Sequence, residues 1–569
     1  MYHYYETDKP QEQAPMKKRI IFLVFIVLGV AAFFIYKNWR SKFLKKDIPN
    51  LVFLKSDSMY RITYDDLYVD EVAGEIRIKN LQLHPDTTFR KATDSSLPKT
   101  LLHVTVPELH VTGVRTDMAL FNKEITAARI TLSNPVVTMF NTKPGEKNDD
   151  YNGNDSGATT YSIYRILLRG LERIRVDTIS ITGADYHICK WRSDDTSFSG
   201  SRIDAQLYKL DISDSTSTDT SRILFSKQAD LAVEKIRIRD KKGLYNYVMN
   251  EVKLNSNERL FSLKSAFISP TLGEAAFVKA AKWQTDRLNI DLTGLQFNGI
   301  NVQSLLDGNM VSKELVIKNA EFRIFRDKSY PRKPGPDKAP TYPQQLFTSI
   351  PVKVSIKKMV INNSYIEYKE KNPKTASSGV VHFNKVSATL FNVTNRPADL
   401  QENAITTVQF SSLFLNKVPF SATLQLYPGH EKGRFAAKGA MGSVDATFFN
   451  PLTKPLALLM INSGTVNKLE FNFTGNNYAA NGTVRLLYEN LNVKLLKAGE
   501  DNKQQLGTKK LASFLANVSI KNGNPTKDKP VRIANVNNPR DDSKGIFNLI
   551  WKTILAGLIK TIGIEGKMP

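Results

Sequence analysis

Residues 130–140 read ITLSNPVVTMF, and the reading of this stretch decides the fold. Ile130 and Leu132 alternate with polar neighbours, the period of a half-buried strand. Asn134 and Pro135 interrupt, and a second alternating run follows. Asn and Gly suit such a bend because they tolerate backbone conformations that most residues avoid. Three more stretches share the template: ISITGADYHIC at 179–189, LVIKNAEFRIF at 315–325 and MVINNSYIEYK at 359–369. Each predicts a strand, a bend and a second strand, with Ile130, Leu132, Ile179, Ile181, Leu315, Ile317, Met359 and Ile361 on the apolar side.

The copies come in pairs. Between the first two lie a polar loop (141–160) and a helix-like stretch (161–174) with Ile163, Ile166, Leu167 and Leu171 on one face. Between the second two lie a loop (327–341) and a shorter stretch (343–350) with Leu346 and Phe347 apolar. Upstream, LHVTGV at 109–114 corresponds to LQFNGI at 295–300, and Leu120 to Leu306. A tandem duplication with a period of about 185 residues is expected, too long for a fine solenoid repeat of roughly 20–50. The Pro-rich stretch YPRKPGPDKAPTYP (330–343) reads as a linker between a first β-rich region (50–329) and a second (344–530). In the second, Gly475, Asn476 and Asn477 mark a turn between two alternating runs. The chain reads as mainly β with a few helices.

Two segments point to membranes. Residues 20–36, IIFLVFIVLGVAAFFIY, are seventeen uncharged positions that follow a basic tail (1–19). As a helix they cover about 25 Å, enough for a bilayer core with help from the flanks. Ile20, Phe22, Leu23, Phe25, Leu28, Phe33 and Phe34 supply the apolar surface, and Tyr36 and Trp39 the interfacial aromatics. A cleaved signal peptide is the rival reading, but its apolar core would be shorter and no small-x-small site follows Tyr36. Lys and Arg stand on both sides, so charge does not set the orientation. Near the other end, 545–564 read GIFNLIWKTILAGLIKTIGI, an amphipathic helix with Phe547, Ile550, Trp551, Ile554 and Leu558 on its apolar surface and Asn548, Lys552, Ala556 and Lys560 in a narrow stripe. Three readings stand open for it: a second span, in which each central Lys would cost about 2–3 kcal/mol; an interfacial helix; or a plug over an apolar sheet edge.

No chemistry-bearing motif competes with these. The net charge of +24 is spread singly along the strand-like runs, without an RNA-binding or zinc-finger pattern, so nucleic acid is not expected. The seven His form no metalloprotease motif, no phosphate-cradling Gly loop occurs, and Cys189 is alone. No catalytic residue, cofactor or metal is expected, and the chain does not read as an enzyme.

With the anchor, the paired template and the 464–496 hairpin region (GTVNKLEFNFTGNNYAANGTVRLLYENLNVKLL) in view, the chain resembles the AsmA-like family, as a shorter relative of its TamB-type members. The stretch YRITYDDLYVDEVAGEIRIKNLQL at 60–83 and the I-x-L-x-N-P unit at 130–135 carry the likeness as well. The resemblance implies a single-pass inner-membrane protein with its bulk in the periplasm of a diderm bacterium. It implies elongated, curved antiparallel sheets forming an apolar groove, lined by the eight template residues named above. The partners implied are phospholipid acyl chains, the bilayer and envelope proteins, and the role is phospholipid transport or outer-membrane homeostasis. A structural or assembly factor without lipid cargo is the alternative.

Overall fold

The computed structural model describes residues 59–86, 100–115, 123–142, 171–193, 195–240, 242–332, 342–371, 378–457, 459–495, 521–526, 529–541 and 544–563. The described chain is mainly β, with 22 strands in mixed, mostly antiparallel pairing. Its six short helices are α1 (Glu274–Ala281), α2 (Val302–Leu306), α3 (Pro343–Ser349), α4 (Pro397–Glu402), α5 (Asn450–Ala457) and α6 (Ile546–Thr561). Two compact units divide it: Met1–Ala266 with Phe297–Val311, and Phe267–Gln296 with Ser312–Pro569. Both flanks of the Pro-rich stretch belong to the second.

The first unit contains β1 (Tyr60–Thr63), β2 (Asp66–Asp70), β3 (Glu75–Pro85), β4 (Thr100–Thr112), β5 (Glu124–Ser133), β6 (Val136–Asn141), β7 (Arg173–Lys190), β8 (Thr196–Ser213), β9 (Gln228–Arg239) and β10 (Tyr245–Asn255). β5 and β6 share one place in the sheet, antiparallel to β4 and parallel to β7. The bend at Asn134–Pro135 therefore does not turn the chain back; the two runs continue in one direction.

The reason is a phase slip. Ile130 and Leu132 are buried before the bend and Val137 after it, so alternation jumps from even to odd positions while the same side stays apolar. A residue in the left-handed conformation absorbs the jump without shifting register, since Glu108 faces Ser133 before it and Thr105 faces Val136 after it; without it the second run would turn its apolar set to water. Asn134 takes that conformation with φ 50°, and Gly183 in β7 with φ 64°. A Cβ on Gly183 would lie 2.4 Å from Asn134 Oδ1, so the two irregularities are in contact. Asn80 in β3, Arg202 in β8 and Glu251 in β10 also have positive φ. Registers place all of these on one line: Lys79 and Leu81 face Glu108 and Val106, Ile203 faces Val233, and Val233 faces Val252. Five strands of this unit are creased at a single level.

Away from the crease the apolar rows are regular. Leu67, Ile78, Leu109, Leu132 and Ile181 stand opposite one another in successive strands. The central members are sealed, with Ile78 at 0%, Leu109 at 1% and Leu132 at 1% exposure.

β11 (Leu260–Pro270), β12 (Arg287–Asn298) and β13 (Met310–Asp327) follow, and then β14 (Val354–Lys371), β15 (Ser378–Thr394), β16 (Thr406–Phe414), β17 (Val418–Leu426), β18 (Phe435–Met441), β19 (Val444–Asp445), β20 (Leu459–Gly475), β21 (Ala479–Leu495) and β22 (Ala534–Pro539). From β14 onward the second unit's ladder is antiparallel throughout its described pairings. β13 and β14 touch through Glu314–Lys358, Asn319–Asn363, Ala320–Ser364 and Asp327–Lys371, each pair 44 residues apart. A constant difference is the signature of parallel register. Phase slips recur here, at Asn363 (φ 42°) in β14 and Lys385 (φ 49°) in β15.

Candidate functional site: an apolar face left half open

In the second unit one row of residues crosses seven strands: Ile361, Ala388, Phe410, Ala422, Gly439, Phe471 and Val484. Small residues separate the large ones along it: Ala388 lies between Ile361 and Phe410, and Ala422 and Gly439 lie between Phe410 and Phe471. Gly439 is required by this packing, since a Cβ there would lie 2.5 Å from Phe471 Cζ and 2.6 Å from the Ser421 carbonyl. Beside the row, Phe383, Phe410 and Phe420 form a triangle with ring centroids 5.6–6.0 Å apart. Phe420 stacks on Phe471 at 6.3 Å, and Phe471 on Phe473 at 5.5 Å.

Burial along the face is uneven. Phe435, Phe471, Phe473 and Val484 are buried, whereas Leu390, Val408, Phe410, Phe420, Ala422, Leu424 and Leu426 are only half-buried. Three segments explain the covered part. Before α3, Tyr342 is fully buried and donates its hydroxyl to the Asn476 carbonyl at 3.4 Å, while Gln344 donates to the Gly433 carbonyl at 3.2 Å. At α5, Asn450 exchanges two hydrogen bonds with the Ile461 backbone at 2.7 and 2.8 Å, and the preceding Phe449 lies 6.3 Å from Phe414. α6 packs on β21 and β22. Around β15–β17 the cover thins: Val386, Ala388 and Val418 are buried, and Phe410, Phe420 and Leu424 between them are half-buried. An apolar surface of this kind can shield acyl chains or another apolar segment; it carries no group that moves protons.

The reverse of the same strands is polar. Ser387, Ser411, Ser421, Ala440 and Glu470 form one row, and Thr389, Gln409, Thr423, Lys438 and Asn472 the next. A depression of about 650 Å³ is lined by these rows and the backbone between them. Hydrogen bonds from Lys468 and then Arg485 hold the Glu470 carboxyl below its ordinary range.

Ionisable groups cluster where β13 and β14 end. Arg326 forms a two-armed ion pair with Asp286, and Lys371 reaches Asp327 at 3.0 Å. Burial, then the Glu367 carboxylate at 2.6 Å, pushes the Tyr365 phenol up to about 12; burial and Glu370 raise Tyr368 still further. Both phenols stay protonated donors in neutral solution. Among the described residues, no group of three or more His, Cys, Asp or Glu could hold a metal ion.

The template residues fall in two classes. Ile130 opposes Ile179 and Leu132 opposes Ile181, all four buried. Leu315 and Ile317 are buried, while Met359 and Ile361, 44 positions on, are half-buried. Of these eight, Ile361 belongs to the row named above and Met359 to the next row of the same face, opposite Leu390, Val408 and Leu424 in turn. The anchor residues Ile20, Phe22, Leu23, Phe25, Leu28, Phe33, Phe34, Tyr36 and Trp39 lie outside the described residues. Among the described residues no helix is long and apolar enough to cross a membrane. In α6, Ile554 is buried, Ile550 and Leu558 half-buried, and Phe547 and Trp551 exposed. Cys189 lies 3.4 Å from the Thr196 hydroxyl, and His110 is 2.7 Å from Glu75.

Sequence reading passed over the phenylalanine face itself. Its signal was present in TTVQFSSLFLNKVPFSATLQL at 406–426, two alternating runs around Leu415 and Asn416, both of which turn with positive φ (49° and 61°). No protein-family model matches the chain, and neither does any curated protein.

Proposed function

We propose that this chain handles membrane lipids, holding acyl chains against the half-open face of β15–β17 within an elongated, curved apolar groove. In this reading it is an AsmA-like, non-catalytic envelope protein. Residues 20–36 hold it in the inner membrane, its bulk lies in the periplasm, and its service is phospholipid transport or outer-membrane homeostasis. One observation supports the reading: Phe410, Phe420 and Leu424 are only half-buried on a face whose neighbours Phe471 and Phe473 are buried. Contiguous apolar surface is normally hidden unless something apolar comes to it. The partner must be greasy and tolerant of loose fit, because the floor of Ala, Gly and Phe offers contact area without hydrogen-bonding direction.

Photocrosslinking tests this directly. A benzophenone amino acid replaces Leu424 on the apolar face or Thr423 on the polar face of the full chain in cells, and adducts are identified by mass spectrometry. Phospholipid adducts at position 424 with few at 423 are expected. Equal yields at both positions, or protein adducts alone at 424, overturn the reading.

A further inference from the structure

α6, which packs on β21 and β22, buries Ile546, Leu549, Thr553, Ile554, Gly557 and Thr561, of which three are small or polar. Thr553 and Thr561 donate their hydroxyls back to the Leu549 and Gly557 carbonyls at 2.7 and 2.8 Å, which lets both be buried. Gly557 permits close approach, since a Cβ there would stand 2.3 Å from Val484 Cβ. Both aromatic side chains of the helix are left outside that packing. Phe547, Trp551, Leu555 and Ile559 repeat every fourth residue, forming one stripe along the helix. Phe547 is 71% exposed and Trp551 51%; Leu555 and Ile559 are half-buried. A helix that serves only as a plug would bury those four and expose the threonines.

Along the helical segment itself the charge has one sign. Residues 544–563 contain Lys544, Lys552 and Lys560 and no Asp or Glu. Lys552 is exposed next to Trp551, and Lys544 lies one turn before Phe547. Around Lys544, burial comes first and then Arg332, Lys328 and Arg326 in lowering its pKa, with Asp541 opposing them, so three cations and one carboxylate surround the start of the helix. Arg326 and Lys328 have carboxylate partners in Asp286 and Glu370. A helix start ordinarily favours negative charge, and this first turn has none. Aromatic and aliphatic groups in a stripe flanked by cations match the boundary of a bilayer with anionic headgroups, where Trp sits at headgroup level and Lys meets phosphate.

We infer that the Phe547–Trp551–Leu555–Ile559 stripe of α6 docks onto the surface of a bilayer containing anionic phospholipid. The inference is independent of the acyl-chain reading: it concerns the outer side of α6, and it stands or falls without any adduct at position 424. Trp551 reports on it. The full chain and its Trp551→Phe variant are reconstituted into vesicles of equimolar phosphatidylcholine and phosphatidylglycerol with or without brominated acyl chains, and the difference spectrum isolates Trp551. The docked stripe reaches about 5–10 Å into the headgroup boundary, so brominated chains should cut that emission roughly twofold. The quenching should weaken in pure phosphatidylcholine and in the Lys544→Gln, Lys552→Gln double variant. Emission indifferent to brominated lipid overturns the inference, as does emission shielded from acrylamide yet untouched by bromine, which would mean a protein cover. Quenching equal on both lipid compositions removes the anionic headgroup from it. Trp551 and Lys552 are exposed and Lys544 is half-buried, so a circular dichroism melt of each variant is recorded alongside, and an unchanged melt verifies that it is folded.

Discussion

The row Ile78–Leu109–Leu132 in the first unit and the row Phe410–Ala422–Gly439–Phe471 in the second are made by the same alternation, yet one is sealed and the other is not. The first uses branched aliphatics of similar size, which interlock and exclude water. The second sets rings beside residues with little or no side chain, which leaves relief on the surface. Period-two patterning makes a face apolar; what packs over the face determines whether it closes, since Phe471 is buried in the same row in which Phe410 is only half-buried. A core and a candidate binding surface therefore differ here in cover, with alternation held constant.

The sharpest way to break this comparison is truncation at matched positions. Leu109→Ala should cost about 3 kcal/mol, and Leu424→Ala less than about 1 kcal/mol, because only the first opens a sealed cavity. Urea unfolding of the two variants measures the difference, and equal losses would make the second face an ordinary core. Gly557→Val should be next, losing about 1–3 kcal/mol by forcing α6 off Val484. A thermal melt reads the loss, and one as large as that of Leu109→Ala would mean α6 is integral to the second unit.

Smaller effects come from pH, and they separate the units. In the first, burial pushes the Asp211 carboxyl up, but the Arg173 hydrogen bonds and charge outweigh it and leave the pKa lowered. Its contribution is present above the unfolded-state value near 4 and is lost as pH falls through the lowered one. Acid titration of stability should therefore be flatter in Asp211→Asn. In the second unit, Tyr365 is raised from 10.0 to about 12, so its contribution is complete below pH 10 and is lost as pH rises toward 12. Tyr365→Phe should reduce the alkaline loss followed by circular dichroism; this is the smallest effect, because the phenol is partly solvated.

Much of the architecture was legible from side-chain period. The four templates gave strands, and Asn or Gly gave the irregularity, because few residues accept positive φ. What period could not convey was direction: Asn134 and Asn363 read as bends, whereas each marks a one-residue slip within a strand that runs on. Partnering was hidden for a related reason. That Ile130 lies beside Ile179 depends on a parallel crossover, and nothing local in either stretch records its neighbour. The open face was hidden because Phe410 and Phe471 lie 61 positions apart, and the glycine that makes room for one ring, Gly439, sits in a strand between them. On α6, composition suggested a polar stripe through Lys552 and Ala556, but close packing against Val484 favoured the side holding Gly557 instead.

The irregularities at Asn80, Asn134, Gly183, Arg202 and Glu251 constrain one another. Lys79 faces Glu108 and Leu81 faces Val106; Ser201 faces Lys235 and Ile203 faces Val233, so each ladder resumes in the same register past the irregular level. A chain that changes phase at this level in one strand alone would put its apolar set on the wrong side of its neighbours. The five positions are therefore coupled, and a residue that cannot take a positive φ at one of them strains the pairing of the strands beside it.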